Sequence, residues 1–200
     1  MNNINFTIEK SFSVISSTDW NDLLSESITD TPFLRYEYLG TWWDTFGGGE
    51  WQQAQLAIVL AHKNGTLIGI APLFVATHNG IQTLLLLGSL EVSDYLDVIV
   101  RQDDLLCFIS GLLDFLSSSS MITTFSRLSW YNLPDTSPTL TVLEAEATKR
   151  KMDFKKEIFR PSLYVPLPGD FELYLSSINK KQRHEVRRKT RRLENSMKTV

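Results

Sequence analysis

Two hundred residues, 42% hydrophobic and 22% charged, can bury a substantial core in one domain, or in one domain plus the start of another, which excludes a disordered or collagen-like chain. The longest apolar stretches, such as residues 81–90, fall far short of the roughly 20 residues that cross a bilayer, and the N-terminus is acidic and polar where a secretory signal is basic and then apolar, so a cytoplasmic chain is expected. The net charge of -3 conceals an asymmetry: residues 176–200 hold nine Lys or Arg against two acids, net +7, and residues 1–175 hold eleven against twenty-one, net -10.

In chain order, residues 6–15 alternate apolar and polar side chains and predict a half-buried strand. Ser17 or Thr18 then caps a short helix through Trp20, Leu23 and Leu24, with Asp19 and Asp22 suited to the helix dipole. Thr31-Pro32 breaks the chain. A second amphipathic helix is predicted over 34–46 and ends at Gly47-Gly48-Gly49. Strands follow over 55–61, 66–76 and 81–87, joined at Asn64-Gly65 and Asn79-Gly80; Asn-Gly suits the two positive-φ positions of a type I′ hairpin turn. This reads as a three-stranded meander.

A fourth strand is predicted over 95–100, a helix over 104–116, a strand over 127–133 and a helix over 137–151 with Ser137 or Asp135 at its start, and residues 154–159 and 162–165 close the sheet before Pro166 and Pro168. Cys107 has no internal disulfide partner, and Leu105, Leu106 and Phe108 place it as buried filler on a helical apolar face. The expected assembly is α/β of the α+β kind, a mixed, mainly antiparallel sheet with helices on its faces. The last part differs. A short helix over 169–178 is followed by Asn179 and Gln182, a capping-box signature that starts a helix to about residue 195. Along it only Val186 and Leu193 are apolar, and residues 197–200 read as the start of a strand. Residues 1–168 are therefore expected to form one domain and 169–200 a helical linker into a second.

Asp94, Tyr95 and Asp97 fall between two predicted strands, where polar groups converge on ligands. They are candidates for substrate binding or for a base, and equally for a turn with a packed tyrosine. Lys180, Lys181, Arg183, His184, Arg187, Arg188, Arg191 and Arg192 suit phosphate contacts, an interface with the acidic body or the partner domain, or plain solvation, and His184 is also an acid/base candidate. Trp42, Trp43, Trp51 and Trp130 fit core packing or an aromatic platform. His62 and His78 lack partners at metal spacing, so no metal site is expected.

The ordered set Phe33-Leu34, Tyr38-Leu39, Trp42-Trp43, Ile68-Gly69-Ile70-Ala71-Pro72-Leu73, Gly88, Ser93-Asp94-Tyr95-Leu96-Asp97, Trp130, Asn132-Leu133-Pro134, Ser162-Leu163, Pro166-Leu167-Pro168, Tyr174-Leu175 and Lys180 through Lys189, leading to Arg191-Arg192-Leu193-Glu194, resembles the GNAT-superfamily acetyltransferases of the bacterial cellulose-biosynthesis type. Those are related to the Fem-type peptidoglycan aminoacyltransferases. The resemblance implies two GNAT-like domains in tandem, the first degenerate, with acetyl-CoA or another acyl-CoA bound mainly by the second, beyond Val200. It further implies acyl transfer to an amine or hydroxyl of a cell-envelope or polysaccharide-related acceptor, this chain contributing acceptor binding and bracing. Gly47-Gly48-Gly49 follows a helix where a pyrophosphate cradle would precede one. A nucleic-acid or anionic-partner module acting through the basic helix, and a non-catalytic pseudoenzyme, are the competing readings; an acidic body makes nucleic acid the weaker partner.

Overall fold

Apolar and polar residues alternate over Ile4–Glu9 to form β1, but the predicted strand stops there: Phe12–Val14 is a single 3-10 turn capped by Ser11, whose side chain accepts from Ser13 N. The structure, a computed structural model, describes residues 4–118, 125–158, 160–161 and 165–197. Ser16, one residue before the expected cap, accepts from Asp19 N and starts α1 (Ser17–Ser25), whose Trp20, Leu23 and Leu24 are buried. The Trp20 indole donates to Leu34 O at 2.8 Å, tying α1 to the turn before α2 (Tyr36–Phe46). Gly47 closes α2 in the left-handed conformation that glycine adopts without a Cβ clash, its N–H donating to Trp43 O at 2.8 Å.

The expected meander is instead two four-stranded sheets. β2 (Gln52–Leu56), β3 (Ile58–Lys63), β4 (Thr66–Ala71), β5 (Leu73–His78) and β6 (Ile81–Leu86) come from the three predicted runs, two of which divide at Ala57 and at Pro72. Proline has no N–H for a ladder, so the antiparallel pairing of β3 with β4 ends at Ala71, and β5 pairs with β2 and β6 beyond it. Ala57 N donates to Leu73 O at 3.0 Å and Leu87 N to Pro72 O at 2.8 Å, bridging the break. The orders are β1-β3-β4-β7 and β2-β5-β6-β8. Both Asn-Gly turns form, with positive φ at Asn64, Gly65, Asn79 and Gly80.

β7 is confined to Ile99–Val100, since residues 95–98 are engaged elsewhere. α3 (Leu105–Ser118) buries Leu105, Phe108, Ile109, Leu112, Leu113 and Leu116 and packs on β1 and β4. β8 (Arg127–Ser129) pairs with β6 in parallel, the one parallel ladder among the described residues. α4 (Pro138–Lys149) starts at the Ser137 cap with proline in its first turn and packs against α3. The mixed α+β class with mainly antiparallel sheets is as expected.

Residues 154–158 carry no strand, contrary to expectation; residues 159 and 162–164, where the rest of that closing pair was expected, lie outside the described set. The chain divides into two compact units, residues 1–159 and 160–200. In the second, Asp170 accepts from Leu173 N and starts α5 (Phe171–Ser177). Asn179 Oδ1 accepts from Gln182 N at 3.0 Å and starts α6 (Lys180–Met197). The helix runs through Met197, so that residue is not the start of a strand; residues 198–200 are not described.

Candidate functional site

Parallel strands β6 and β8 require the crossover through α3, and the crevice outside the carboxyl ends of parallel strands is where open α/β sheets bind ligands. In the first unit the chain itself, residues 87–98, folds over that end. Gly88 turns with φ +92, and a Cβ there would lie 2.8 Å from Ser93 Oγ, so only glycine fits. The Tyr38 hydroxyl lies 2.7 Å from Val92 O and 2.9 Å from Ser93 Oγ. Asn132 just beyond β8 holds the loop from the other side: its Nδ2 donates to Leu90 O at 3.0 Å and Ser93 O at 2.7 Å, and its carbonyl accepts from Leu96 N at 2.9 Å.

The three loop candidates do not share one surface. Asp94 is exposed at the tip. Tyr95 is half-buried with φ +54, and its carbonyl accepts from Thr31 Oγ1 at 3.3 Å. Asp97 is fully buried. Its Oδ2 accepts from Ser137 Oγ at 2.5 Å and Thr29 Oγ1 at 2.9 Å, and its Oδ1 from Thr139 Oγ1 at 2.7 Å and Val98 N at 2.8 Å. Burial pushes the carboxyl above its ordinary value; the Ser137, Thr139 and Thr29 hydroxyls and the Val98 N–H pull the other way. With four protein donors on two oxygens and no exposed surface, Asp97 is an anchor between the loop, the α1–α2 connection and the start of α4. Its partners Thr29 and Thr139 carry no sequence signal, because hydroxyls scattered over 110 residues are ordinary until the fold gathers them.

The helix that follows the first parallel strand is α3, and its approach carries acid: Gln102–Asp104 forms a 3-10 turn with Asp103 and Asp104 in it. These carboxylates stand just before the first turn of α3, Asp104 at 3.9 Å from Lys63 Nζ, and oppose an external phosphate at the positive end of the helix dipole. Between α3 and α4 an open groove of about 720 Å³ is lined by Cys107, Ser110, Asp114, Glu146, Lys149 and Arg150. Its charges satisfy one another. Arg150 donates to Asp114 Oδ1 at 2.8 Å, Glu146 Oε2 at 2.6 Å and both oxygens of Ser110 at 2.9 Å. Lys149, then Arg150 and Ser110, hold the Glu146 carboxyl down to about 2. Cys107 is exposed, not buried filler. The buried stripe of α3 runs through Leu105, Phe108 and Ile109, and Cys107, with Leu106, falls outside it.

On α6, Lys180, Lys181, His184, Arg187, Arg188, Arg191 and Arg192 are exposed and Arg183 is half-buried. Arg187 pairs with Glu172 of α5 and Arg188 with Glu185. Arg183 Nη2 donates to Ile178 O at 3.0 Å. Lys180, Lys181, Arg191 and Arg192 have no acidic partner among the described residues. Trp42 is buried and Trp43 partly so, both against Phe74, while Trp51 stacks on Tyr131 at 6.1 Å; the tryptophans thus lie in or against the core and form no single platform. Among the described residues no cluster of His, Cys, Asp or Glu is disposed to hold a metal ion, and no helix is long and apolar enough to cross a membrane.

No protein-family model matches the sequence, and no curated protein matches it. Among solved structures the chain is similar to a ribosomal-protein-alanine N-acetyltransferase from Brucella melitensis biovar Abortus 2308. That similarity has 14% identity, covers 78% of this chain and 98% of the other, and gives a TM-score of 0.41.

Proposed function

We propose that the chain is the N-terminal portion of an acyl-CoA-dependent acyltransferase of the GNAT superfamily, of the cellulose-biosynthesis type, acting in the cytoplasm on a cell-envelope or polysaccharide-related acceptor. In this reading residues 1–168 are a degenerate GNAT-like domain, and residues 169–200 lead into a second GNAT domain that binds acetyl-CoA or another acyl-CoA. The order of elements supports it: a strand, two helices, antiparallel strands, then β6, α3 and a parallel β8.

The observation that carries the division of labour is the acid at the head of α3. A pyrophosphate placed there would meet the carboxylates of Asp103 and Asp104, the latter beside Lys63, and the loop pinned by Tyr38 and Asn132 covers the carboxyl ends of β6 and β8. Both observations support a donor site in the second domain. The first domain offers Asp94 and Tyr95 as acceptor contacts, with Asp97 setting the loop that carries them, and the cations of α6 face an anionic ligand or the partner domain.

In the reaction an amine nitrogen or hydroxyl oxygen attacks the thioester carbonyl, the C–S bond breaks, and CoA leaves as a thiol after proton transfer from the nucleophile. Orientation, a base near neutral pKa and donors to the carbonyl oxygen supply the rate. Thiol release from acyl-CoA, followed with a thiol-reactive dye, tests this reading: a gene product extending beyond Val200 turns over acyl-CoA with a suitable acceptor, and residues 1–200 alone do not. Turnover by the 200-residue chain alone contradicts it. Residues 1–159 carry ten Lys or Arg against nineteen acids, net -9, which disfavours a nucleic-acid module as the alternative.

A further inference from the structure

We propose that the helix pair of the second unit is a peripheral membrane-binding surface whose partner is an anionic lipid bilayer. Here α6 takes the anionic-ligand role named above, not the partner-domain one, and the proposal does not depend on acyl transfer. α6 holds eight Lys or Arg and two acids, net +6 over 18 residues. At 3.6 residues per turn, Lys180, His184, Arg187 and Arg191 lie along one line and Lys181, Arg188 and Arg192 along the next, while Val186, Leu193 and Met197 lie on the opposite side.

That apolar stripe is bare at its end. Glu172 near the start of α5 pairs with Arg187 midway along α6, and Leu193 and Met197 lie more than one and nearly three turns beyond that contact. Leu193 is 61% exposed and Met197 72%, and on α5 Phe171 and Leu173 are more than half exposed. A polybasic amphipathic helix with exposed apolar side chains has the chemistry of an anionic bilayer surface: the apolar groups enter the boundary of headgroups and acyl chains, and long Lys and Arg side chains reach the phosphates. A nucleic acid would take the cations but offers nothing to Leu193 and Met197. The cations span about 17 Å with no enclosing wall, which suits a surface better than a single phosphate.

Co-sedimentation of the 200-residue chain with vesicles tests the proposal, comparing phosphatidylcholine alone with an equal mixture of phosphatidylcholine and phosphatidylglycerol. The chain is expected to bind the mixed vesicles only, and to dissociate as salt rises from about 0.1 M to about 1 M. Changing Lys180, Lys181, Arg191 and Arg192 to Gln should weaken binding on the order of a hundredfold. Leu193→Ser with Met197→Ser should weaken it roughly tenfold with every cation in place. Failure of the unaltered chain to bind mixed vesicles, equal binding to neutral vesicles, retention of an RNA oligonucleotide at a salt concentration that releases the vesicles, or full binding by the Leu193/Met197 variant would each overturn it. The salt series on the unaltered chain needs no variant, so a misfolded variant leaves the test intact.

Discussion

The Ser137 hydroxyl donates to Asp97 Oδ2 at 2.5 Å across forty residues of sequence, and the same oxygen accepts from Thr139 N at 3.2 Å as the cap of α4. The start of a helix and the loop over the parallel strands are therefore fixed by one pair of side chains. Asp97→Ala leaves the hydroxyls of Thr29, Ser137 and Thr139 and the N–H of Val98 without their acceptor. The expected loss is about 2–4 kcal/mol, read from urea unfolding. Asp97→Asn, which keeps one acceptor oxygen, should lose less. A loss under about 0.5 kcal/mol for Asp97→Ala would show the anchor to be dispensable.

Asp97 and Glu146 work in opposite pH directions. Burial raises Asp97 above its ordinary 3.8, so its contribution to stability is complete below 3.8 and is lost as pH rises through the raised folded value. Lys149, Arg150 and Ser110 lower Glu146 from 4.5 to about 2, so its contribution is complete above 4.5 and is lost as pH falls from there to about 2. Unfolding midpoints measured across pH should show Glu146→Gln removing part of the loss between pH 4.5 and 2, and Asp97→Asn removing a gain on acidification. Parallel curves for both variants and the unaltered chain would contradict these assignments.

Gly69 sits in β4 beneath α3, and a Cβ there would lie 2.3 Å from Cδ2 of the buried Phe108 ring. Gly69→Ala should cost about 1–3 kcal/mol by forcing ring or helix to move. Gly80→Ala meets no atom within 4 Å but needs φ near +75, and should cost about 1 kcal/mol. Thermal melts of the two variants separate crowding from backbone strain, and an unchanged melt for Gly69→Ala would mean that α3 does not press on β4.

Asn132→Ala removes both side-chain hydrogen bonds to the loop, those to Leu90 O and Ser93 O. Hydrogen exchange at residues 88–96 should rise on the order of tenfold or more while exchange in β3 and β4 stays as it was. Uniform acceleration across the whole unit would instead make Asn132 part of the global core.

Local chemistry made much of this fold legible. Asn-Gly pairs mark both hairpins, glycine ends α2, Ser137 and Asn179 start helices, and the charge asymmetry locates α6. What sequence periodicity misses is set by distant partners. The 55–61 and 66–76 runs are continuous in hydrophobicity, yet both divide between two sheets: at Pro72 the ladder N–H is missing, and opposite it Ala57 N turns to Leu73 O. The parallel register of β8 depends on β6, more than 40 residues earlier. Cys107 and Leu106 share the apolar composition of α3 but fall on its open side. Asp97 resembles Asp94 in sequence, and only the gathering of Thr29, Ser137 and Thr139 distinguishes an anchor from an exposed carboxylate.

The claim that the donor site lies outside these residues is tested most directly by titrating CoA into the purified 200-residue chain in a calorimeter. No saturable heat up to about 1 mM ligand is expected, since Asp103 and Asp104 stand before α3 and residues 87–98 cover the carboxyl ends of β6 and β8. A saturable isotherm with a micromolar dissociation constant would contradict it and return the acyl-CoA site to the first unit.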